Sequence, residues 1–390
     1  MIFSLEALQA FNGDSLLLHG GTADEPVLVL IDGGPTRTWA KSLRPRLEQL
    51  RAERAPDGAL RIDLAMLSHI DDDHVGGMVA FGGELATQKL GSQPLSYDVQ
   101  TLWHNSFDDI LGNSAEELRT AALDALQKPI GDPRADQIRE AGRAVVASVP
   151  NGRTLRDQAK QLGWGVNEPF DGLVALPKEG ARTIKLGGLK LTVVCPHASE
   201  LEDLNKAWDR WLKKAQAKHD GNAGTPADFS DTSPYNLSSI VVLAECEGRT
   251  MLLTGDARGD HVLSGLDQAG IATGGKTHVD ILKLPHHGSL RNIDPTFFER
   301  ITADHYVISA NGHDGNPDKE TLDAIVAARA DDDFEIHLTN DETDDDSKNP
   351  LKEHVSAFLA DRKRAGRAFR MSARKDPALS LRIDLLEDPR

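Results

Sequence analysis

The chain has 390 residues, enough for two average domains or one elaborated α/β domain, and too many for a small disulfide-stapled module. Its 44 Lys+Arg against 61 Asp+Glu leave a net charge of −17, which repels nucleic-acid phosphates and anionic membranes unless a local basic patch or a bound cation reverses the field. A hydrophobic share of 39% with no apolar run of about 18 residues excludes a helical membrane protein.

The N-terminal stretch MIFSLEALQAFNGDSLLL carries no Lys or Arg and is interrupted by Glu6, Asn12, Gly13 and Asp14, so it does not read as a signal peptide. With only Cys195 and Cys246, no disulfide framework is indicated, and a cytoplasmic location is the expectation. Ser15 to His19, the polar turn GGTADEP and Val27 to Ile31 predict a hairpin stopped by Asp32-Gly33-Gly34. Helical spacing follows from Trp39 to Glu53, with Pro45 in the first turn. Asp63 to Leu67 is a short apolar run that leads at once into Ser68-His69.

Later runs repeat that form. Val99 to Trp103 leads into His104-Asn105, and Leu189 to Cys195 into Pro196-His197. Ile240 to Ala244 and Thr250 to Leu253 flank a turn and deliver Thr254-Gly255-Asp256. Val279 to Leu284 runs into Pro285-His286-His287-Gly288-Ser289, and Tyr306 to Ser309 into Asn311-Gly312-His313. Open α/β sheets place ligand sites at the C-terminal ends of buried strands, so these polar clusters are expected to converge. Helices and loops are predicted between about 108 and 180, an amphipathic helix from Leu201, and a long loop from His219. The tail predicts a helix in LKEHVSAFLADRK and a last strand in LSLRIDL.

The densest chemistry lies in Ser68-His69-Ile70-Asp71-Asp72-Asp73-His74-Val75-Gly76-Gly77. Two His and three carboxylates just after a strand form a turn able to point several metal ligands inward while a helix starts behind them. The bland alternative is an acidic helix cap followed by a surface His.

This segment resembles the His-x-His-x-Asp-His signature of the metallo-β-lactamase fold superfamily, with Asp71 in place of the second His. Together with Gly13-Asp14, Asp32-Gly33-Gly34, Thr254-Gly255-Asp256 and Pro285-His286-His287-Gly288-Ser289, it is similar to the hydrolase domain of the ComEC/Rec2 competence-protein group. The likeness covers roughly residues 1 to 320 in motif order, with the stretch from about 108 to 230 unmatched. It implies a metallo-β-lactamase-like αββα sandwich of two mixed sheets flanked by helices. That would be a single domain over 1–390, with a helical and loop insertion at about 108–230 and a C-terminal helix-strand extension at about 320–390. The ComEC membrane channel has no counterpart here.

Carried over by residue, the resemblance implies two divalent ions. His69 and Asp71 would hold one, Asp73 and His74 the other, Asp256 would bridge both, and His286 of the His pair would complete the second site. His287 is then a residue behind the ligands or facing substrate, and sequence leaves open which of the pair is the ligand. The third His of the superfamily is missing from Ser233-Pro234-Tyr235-Asn236-Leu237-Ser238-Ser239-Ile240. Asn236, a weak neutral ligand, is a candidate for binding substrate or water, or simply a turn residue. His104 and His197 are the other residues that could supply the missing nitrogen. Carboxylates in place of His make a harder cage, so Mn²⁺ competes with Zn²⁺.

The implied function is metal-dependent hydrolysis by a water activated between the two ions, as a phosphodiesterase or nuclease, with Asp73 sharing proton transfer. The substrate would be a phosphodiester in nucleic acid or a nucleotide, met alone or delivered by a protein partner, with no membrane involved. Lys283 is read either as structural or as an attractor of the anion. The alternatives are a partner-dependent effector or regulatory subunit that keeps the fold, and a hydrolase of a peptide or acyl substrate. Seven cations between Asp361 and Lys375 are the one basic asymmetry, readable as a nucleic-acid patch or as a solvated helix end.

Overall fold

A computed structural model describes residues 1–106, 110, 123, 150–199, 201–202, 238–294, 296–313, 315–329, 333–340, 351–364 and 369–387. Asn236 and most of the predicted insertion lie outside the described residues. The chain opens with three adjacent antiparallel strands, β1 (Phe3–Leu8), β2 (Leu16–Gly21) and β3 (Pro26–Ile31). A helical turn α1 (Thr36–Thr38), a π turn over Trp39–Leu43 and helix α2 (Arg44–Arg54) lead to β4 (Leu60–Ile62) and β5 (Leu64–Met66). Helix α3 (Asp72–Leu90) then precedes β6 (Tyr97–Val99), β7 (Thr101–Trp103) and β8 (Gly165–Val166).

The second half brings β9 (Arg182–Leu186), β10 (Leu189–Cys195), β11 (Val241–Cys246) and β12 (Arg249–Leu253). After them come α4 (Gly259–Gln268), β13 (Thr277–Lys283), α5 (Thr296–Arg300), β14 (Ile301–Ile308), α6 (Lys319–Ala328) and β15 (Glu335–Leu338). Helix α7 (Leu351–Arg364), β16 (Arg370–Ala373) and β17 (Ser380–Leu386) end the described chain.

The strands form a seven-stranded sheet, β17-β1-β2-β3-β5-β7-β8, and an eight-stranded sheet, β16-β15-β14-β13-β12-β11-β10-β9; β4 and β6 pair separately. Both large sheets are mixed: the first pairs β17-β1-β2-β3 antiparallel and β3-β5-β7-β8 parallel, and the second pairs β9 to β12 antiparallel and β12 to β16 parallel.

Three apolar clusters define four layers. Leu5, Leu18, Val29 and Met66 of the first sheet meet Val242, Met251, Ile281 and Val307 of the second in an inter-sheet core. The opposite face of the first sheet (Leu17, Leu30, Ala65) is covered by Leu47, Leu50, Phe81 and Leu85 of α2 and α3. The opposite face of the second (Leu252, Leu282, Tyr306, Ile336) lies under Val262, Phe297, Leu322, Ile325 and Phe358. Central strands are thus buried on both faces, which is why β3 (PVLVLI) reads as a continuous apolar run rather than an alternating one. The result is an αββα sandwich. No described helix is long and apolar enough to cross a membrane.

The predicted hairpin, the run Leu189 to Cys195, the tail helix and the last strand stand where the sequence placed them. Val99 to Trp103 is divided instead: Tyr97–Val99 pairs with Leu60–Ile62, whereas Thr101–Trp103 adds to β5 of the large sheet.

The N-terminus of α3 is fixed by close backbone contact with two turns. Gly33 donates from its N–H to the His74 carbonyl at 2.8 Å, and Gly77 to the Gly34 carbonyl at 2.8 Å. A Cβ on Gly77 would stand 1.9 Å from the Gly33 carbonyl oxygen, and one on Gly13 would stand 1.8 Å from that of Asp73. Glycine at these points lets the helix that carries Asp73 and His74 sit directly on the strand ends.

Candidate metal centre

Strand ends β3, β5, β12 and β13 deliver Asp32, Ser68-His69, Asp256 and His286-His287 to one place, and the first turn of α3 adds Asp71, Asp73 and His74. Asp256 sits in the middle. Its Oδ1 is 3.4 Å from His74 Nε2, and its Oδ2 is 3.7 Å from His69 Nε2, 3.6 Å from His287 Nε2 and 3.9 Å from His286 Nε2. Around it, His69 Nε2 lies 3.8 Å from Asp71 Oδ2, His74 Nε2 3.9 Å from Asp73 Oδ1, and His287 Nε2 3.4 Å from Asp73 Oδ2. His69, His74, Asp256 and His287 are buried, whereas the Asp71 and Asp73 side chains keep 27% of their exposure and form the rim.

All three central imidazoles are oriented from behind. The buried Asp32 carboxylate accepts from Ser68 N–H at 2.7 Å and Ser68 Oγ–H at 2.6 Å, and its Oδ2 accepts from His74 Nδ1 at 2.9 Å. His69 Nδ1 lies 3.0 Å from Ser68 Oγ, and His287 Nδ1 donates to the Ser309 carbonyl at 2.8 Å. This network assigns the proton to Nδ1 in each ring and leaves three Nε2 lone pairs facing inward. Those Nε2 atoms and Asp256 Oδ1 are buried and make no hydrogen bond. Orphaned acceptors of this kind are costly unless something binds them, and imidazoles held through their second nitrogen are the usual way proteins present metal ligands.

The electrostatics fit a cation. Burial raises the Asp256 carboxyl, yet His287, His74, His286 and His69 hold it well below the ordinary carboxylate range. Asp73 is likewise lowered against burial by His74 and His287. Burial drives His69 down to about 3, which keeps its lone pair available. The opposite holds for His287, pushed up against burial to about 10 by Asp256, Asp14 and Asp73, and for His74, raised well above its usual value by Asp256, Asp32 and Asp73. Carboxylates packed this closely demand positive charge among them. Without a metal, protons on the His74 and His287 Nε2 atoms would meet part of that demand; a divalent cation would take their place on the same lone pairs and supply more charge.

The geometry ranks the His pair. His287 joins two of the clusters whose ligand atoms lie within 4.8 Å of one another, with Asp73 and His74 and with Asp14 and Asp256; His286 joins none. Both carry left-handed backbone, φ 46° at His286 and 55° at His287, a strain of about 1–3 kcal/mol per residue that the surrounding structure holds at the strand end.

Lys283 is structural: fully buried, it is ion-paired with Asp14 and donates to the Leu284 carbonyl at 3.0 Å, so it does not face a substrate. His197 Nδ1 is engaged by Gln268 at 3.0 Å, and neither His197 nor His104 belongs to a ligand cluster among the described residues. Asn311 accepts from the His313 backbone N–H. Of the basic tail stretch, Arg374 is buried and donates to the Thr339 and Ala378 carbonyls, while residues 365–368 lie outside the described residues. Sequence reasoning used Asp32 only as a motif and missed its role. The signal was a carboxylate at a strand end facing the Ser-His of the next parallel strand.

No protein-family model matches the chain. A stretch of 104 residues, 25% of the chain, is 30% identical to microtubule-associated protein 1A of Mus musculus, and the chain spans 4% of that relative's length. Among solved structures, the metallo-β-lactamase fold protein YhfI of Bacillus subtilis is 10% identical, with 98% of this chain and 100% of that one covered at a TM-score of 0.39. Zn²⁺-bound PqqB of Methylobacterium extorquens is 13% identical, with the same coverage and a TM-score of 0.39. By its own layer order, helix on sheet on sheet on helix with a His/Asp centre at the strand ends, the chain has a metallo-β-lactamase-like αββα fold.

Proposed function

We propose that this chain is a metal-dependent hydrolase of phosphodiesters. The observation that carries the reading is the convergence of three inward Nε2 atoms and Asp256 Oδ1, buried and without hydrogen bonds, inside a rim of further carboxylates. His69, Asp71 and Asp256 would hold one divalent ion; His74, Asp73, His287 and Asp256 would hold a second. Ligand separations of 3.4 to 3.9 Å are close to the ~3.0–3.5 Å expected between donors that share an ion at ~2.0–2.2 Å. His286 then stands beside the site rather than in it, 29% exposed and facing whatever enters.

Bound ions would supply Lewis-acid stabilisation of developing charge and an acidified water. The chain's own groups do the rest. Asp32, Ser68 and the Ser309 carbonyl fix the three tautomers, and Asp73 at the rim is placed to accept a proton at its carboxylate. The left-handed turn at His286-His287 sends the buried His287 ring inward and leaves the His286 ring at the mouth. Three carboxylates and three imidazoles make a hard, anionic donor set, so Mn²⁺ should support turnover at least as well as Zn²⁺. The three carboxylates carry a charge of −3, so two dications would leave the centre net positive, which suits an anionic phosphoryl group better than a neutral acyl carbon.

The test is a substrate panel with each metal: bis-p-nitrophenyl phosphate, single- and double-stranded DNA, RNA, a β-lactam, a thioester and a peptide. Phosphodiester turnover is expected. Turnover of the lactam, thioester or peptide alone would refute the substrate class, and silence from metal-loaded protein would favour a partner-dependent effector.

A further inference from the structure

A second group of ligating side chains lies on β14 and β15, away from the strand ends that build the centre above. These strands are parallel, with His305 opposite Glu335 and Val307 opposite His337. Side chains at paired positions share a face, and Val307 belongs to the inter-sheet core while Ile336 and Leu338 face the helices. His305, Glu335 and His337 therefore project from the inner face of the sheet, where the strand period would otherwise place apolar residues. His305 Nδ1 and His337 Nε2 are 3.0 Å apart, and one ligand atom from each of the three residues lies within 4.8 Å of the other two.

We infer that His305, His337 and Glu335 form a separate mononuclear site for a borderline divalent transition-metal ion of the Zn²⁺ class, clamping β14 to β15. The donor set, two imidazoles and a carboxylate, is a recurrent zinc triad that leaves a position for water. Two nitrogens on one tetrahedral ion at ~2.05 Å stand ~3.3 Å apart, so the observed pair needs to open by only a few tenths of an ångström. Ser372 on β16, opposite His337, lies with its Oγ 3.0 Å from His337 Nδ1, which leaves Nε2 as the ligating atom; Glu335 Oε1 stands 3.9 Å from Nδ1 and has to swing toward the Nε2 side to join it. His305 need only move its proton from Nδ1 to Nε2, so binding releases none. Arg370 Nε, 3.9 Å from Glu335 Oε2, opposes the cation, but that side chain is 67% exposed and free to turn outward.

The test counts Zn²⁺ per chain by elemental analysis after chelator treatment and dialysis against buffered free Zn²⁺, with Co²⁺ as a spectroscopic probe. The wild type should retain one more equivalent than His305→Asn, and Glu335→Gln should weaken that equivalent at least tenfold. Asp256→Asn, which removes a donor from the main centre, should keep this ion and its tetrahedral Co²⁺ band, so loss of the main site and loss of this one are read separately. If either β-strand variant fails to fold, the imidazole ¹⁵N shifts of His305 and His337 in Asp256→Asn are followed on Zn²⁺ addition instead. Equal metal content in wild type and folded variants, or unmoved shifts, would overturn the inference.

Discussion

Asp32 shows how much of a metal centre is built by residues that touch no ion. It accepts three hydrogen bonds, two from Ser68 and one from His74, and an amide cannot accept all three. Asp32→Asn should therefore leave the fold intact while weakening metal binding by about 10–100-fold, measurable by chelator competition. Away from the centre, buried Glu6 accepts from His19 at 3.0 Å and from Arg46 at 2.6 Å. Burial raises its carboxyl, but His19, Arg46 and Ser380 hold it at about 2 against an ordinary 4.5. A carboxyl lowered by folding stabilises the native state above its unfolded value and loses that contribution as pH falls through the folded one. The stability difference between wild type and Glu6→Gln, on the order of 3 kcal/mol near neutrality, should therefore shrink between about pH 5 and 2 in denaturant titrations. A pH-independent difference would show that Glu6 acts only through packing.

At the scale of elements, the seat of α3 on Gly33 and Gly34 couples stability to the site. Gly77→Ala puts a methyl group against backbone that cannot yield, and should cost about 1–3 kcal/mol or more and displace Asp73 and His74 as well. Gly58→Ala, with nothing within 4 Å, is the control and should stay within about 0.5 kcal/mol. The Lys283–Asp14 pair ties β13 to the turn after β1, and both residues are fully buried. Removing one charge should cost about 3–5 kcal/mol, while Asp14→Leu with Lys283→Met should recover much of it, because a buried charge left alone is worse than none. Additive losses in unfolding experiments would contradict that account of the pair.

Elements were legible where burial is symmetric. The continuous apolar run from Leu189 to Cys195 matches its strand, whereas β1 hid behind Glu6 in FSLEAL, and β15 behind Glu335 and His337 in EIHL. In both, polar residues occupy buried positions because partners on other elements satisfy them, and no local pattern contains those partners. Gln100 conceals a change of sheet between β6 and β7 for the same reason: strand pairing is decided by what lies opposite. The motif segments placed His69, Asp71, Asp73, His74 and Asp256 together in advance. The choice between His286 and His287 was not legible, since it depends on two consecutive left-handed residues that turn one ring inward.

For the whole molecule, two sheets carry the ligands on the ends of their parallel strands, and the sandwich brings those ends together across its upper edge. The net charge of −17 fits a protein whose centre gathers cations and not one that wraps long nucleic acid; any such binding should weaken steeply with salt. Metal removal should leave the apolar layers standing but lower the melting temperature, because Asp71, Asp73 and Asp256 then repel one another. Readdition of Mn²⁺ or Zn²⁺ should restore it in proportion to binding. The decisive measurement is metal content after dialysis, compared between wild type and Asp256→Asn under one free-metal concentration. Wild type should hold two more divalent ions per chain than the variant, with hydrolysis lost in step; equal content in the two proteins would contradict a dinuclear centre bridged by Asp256.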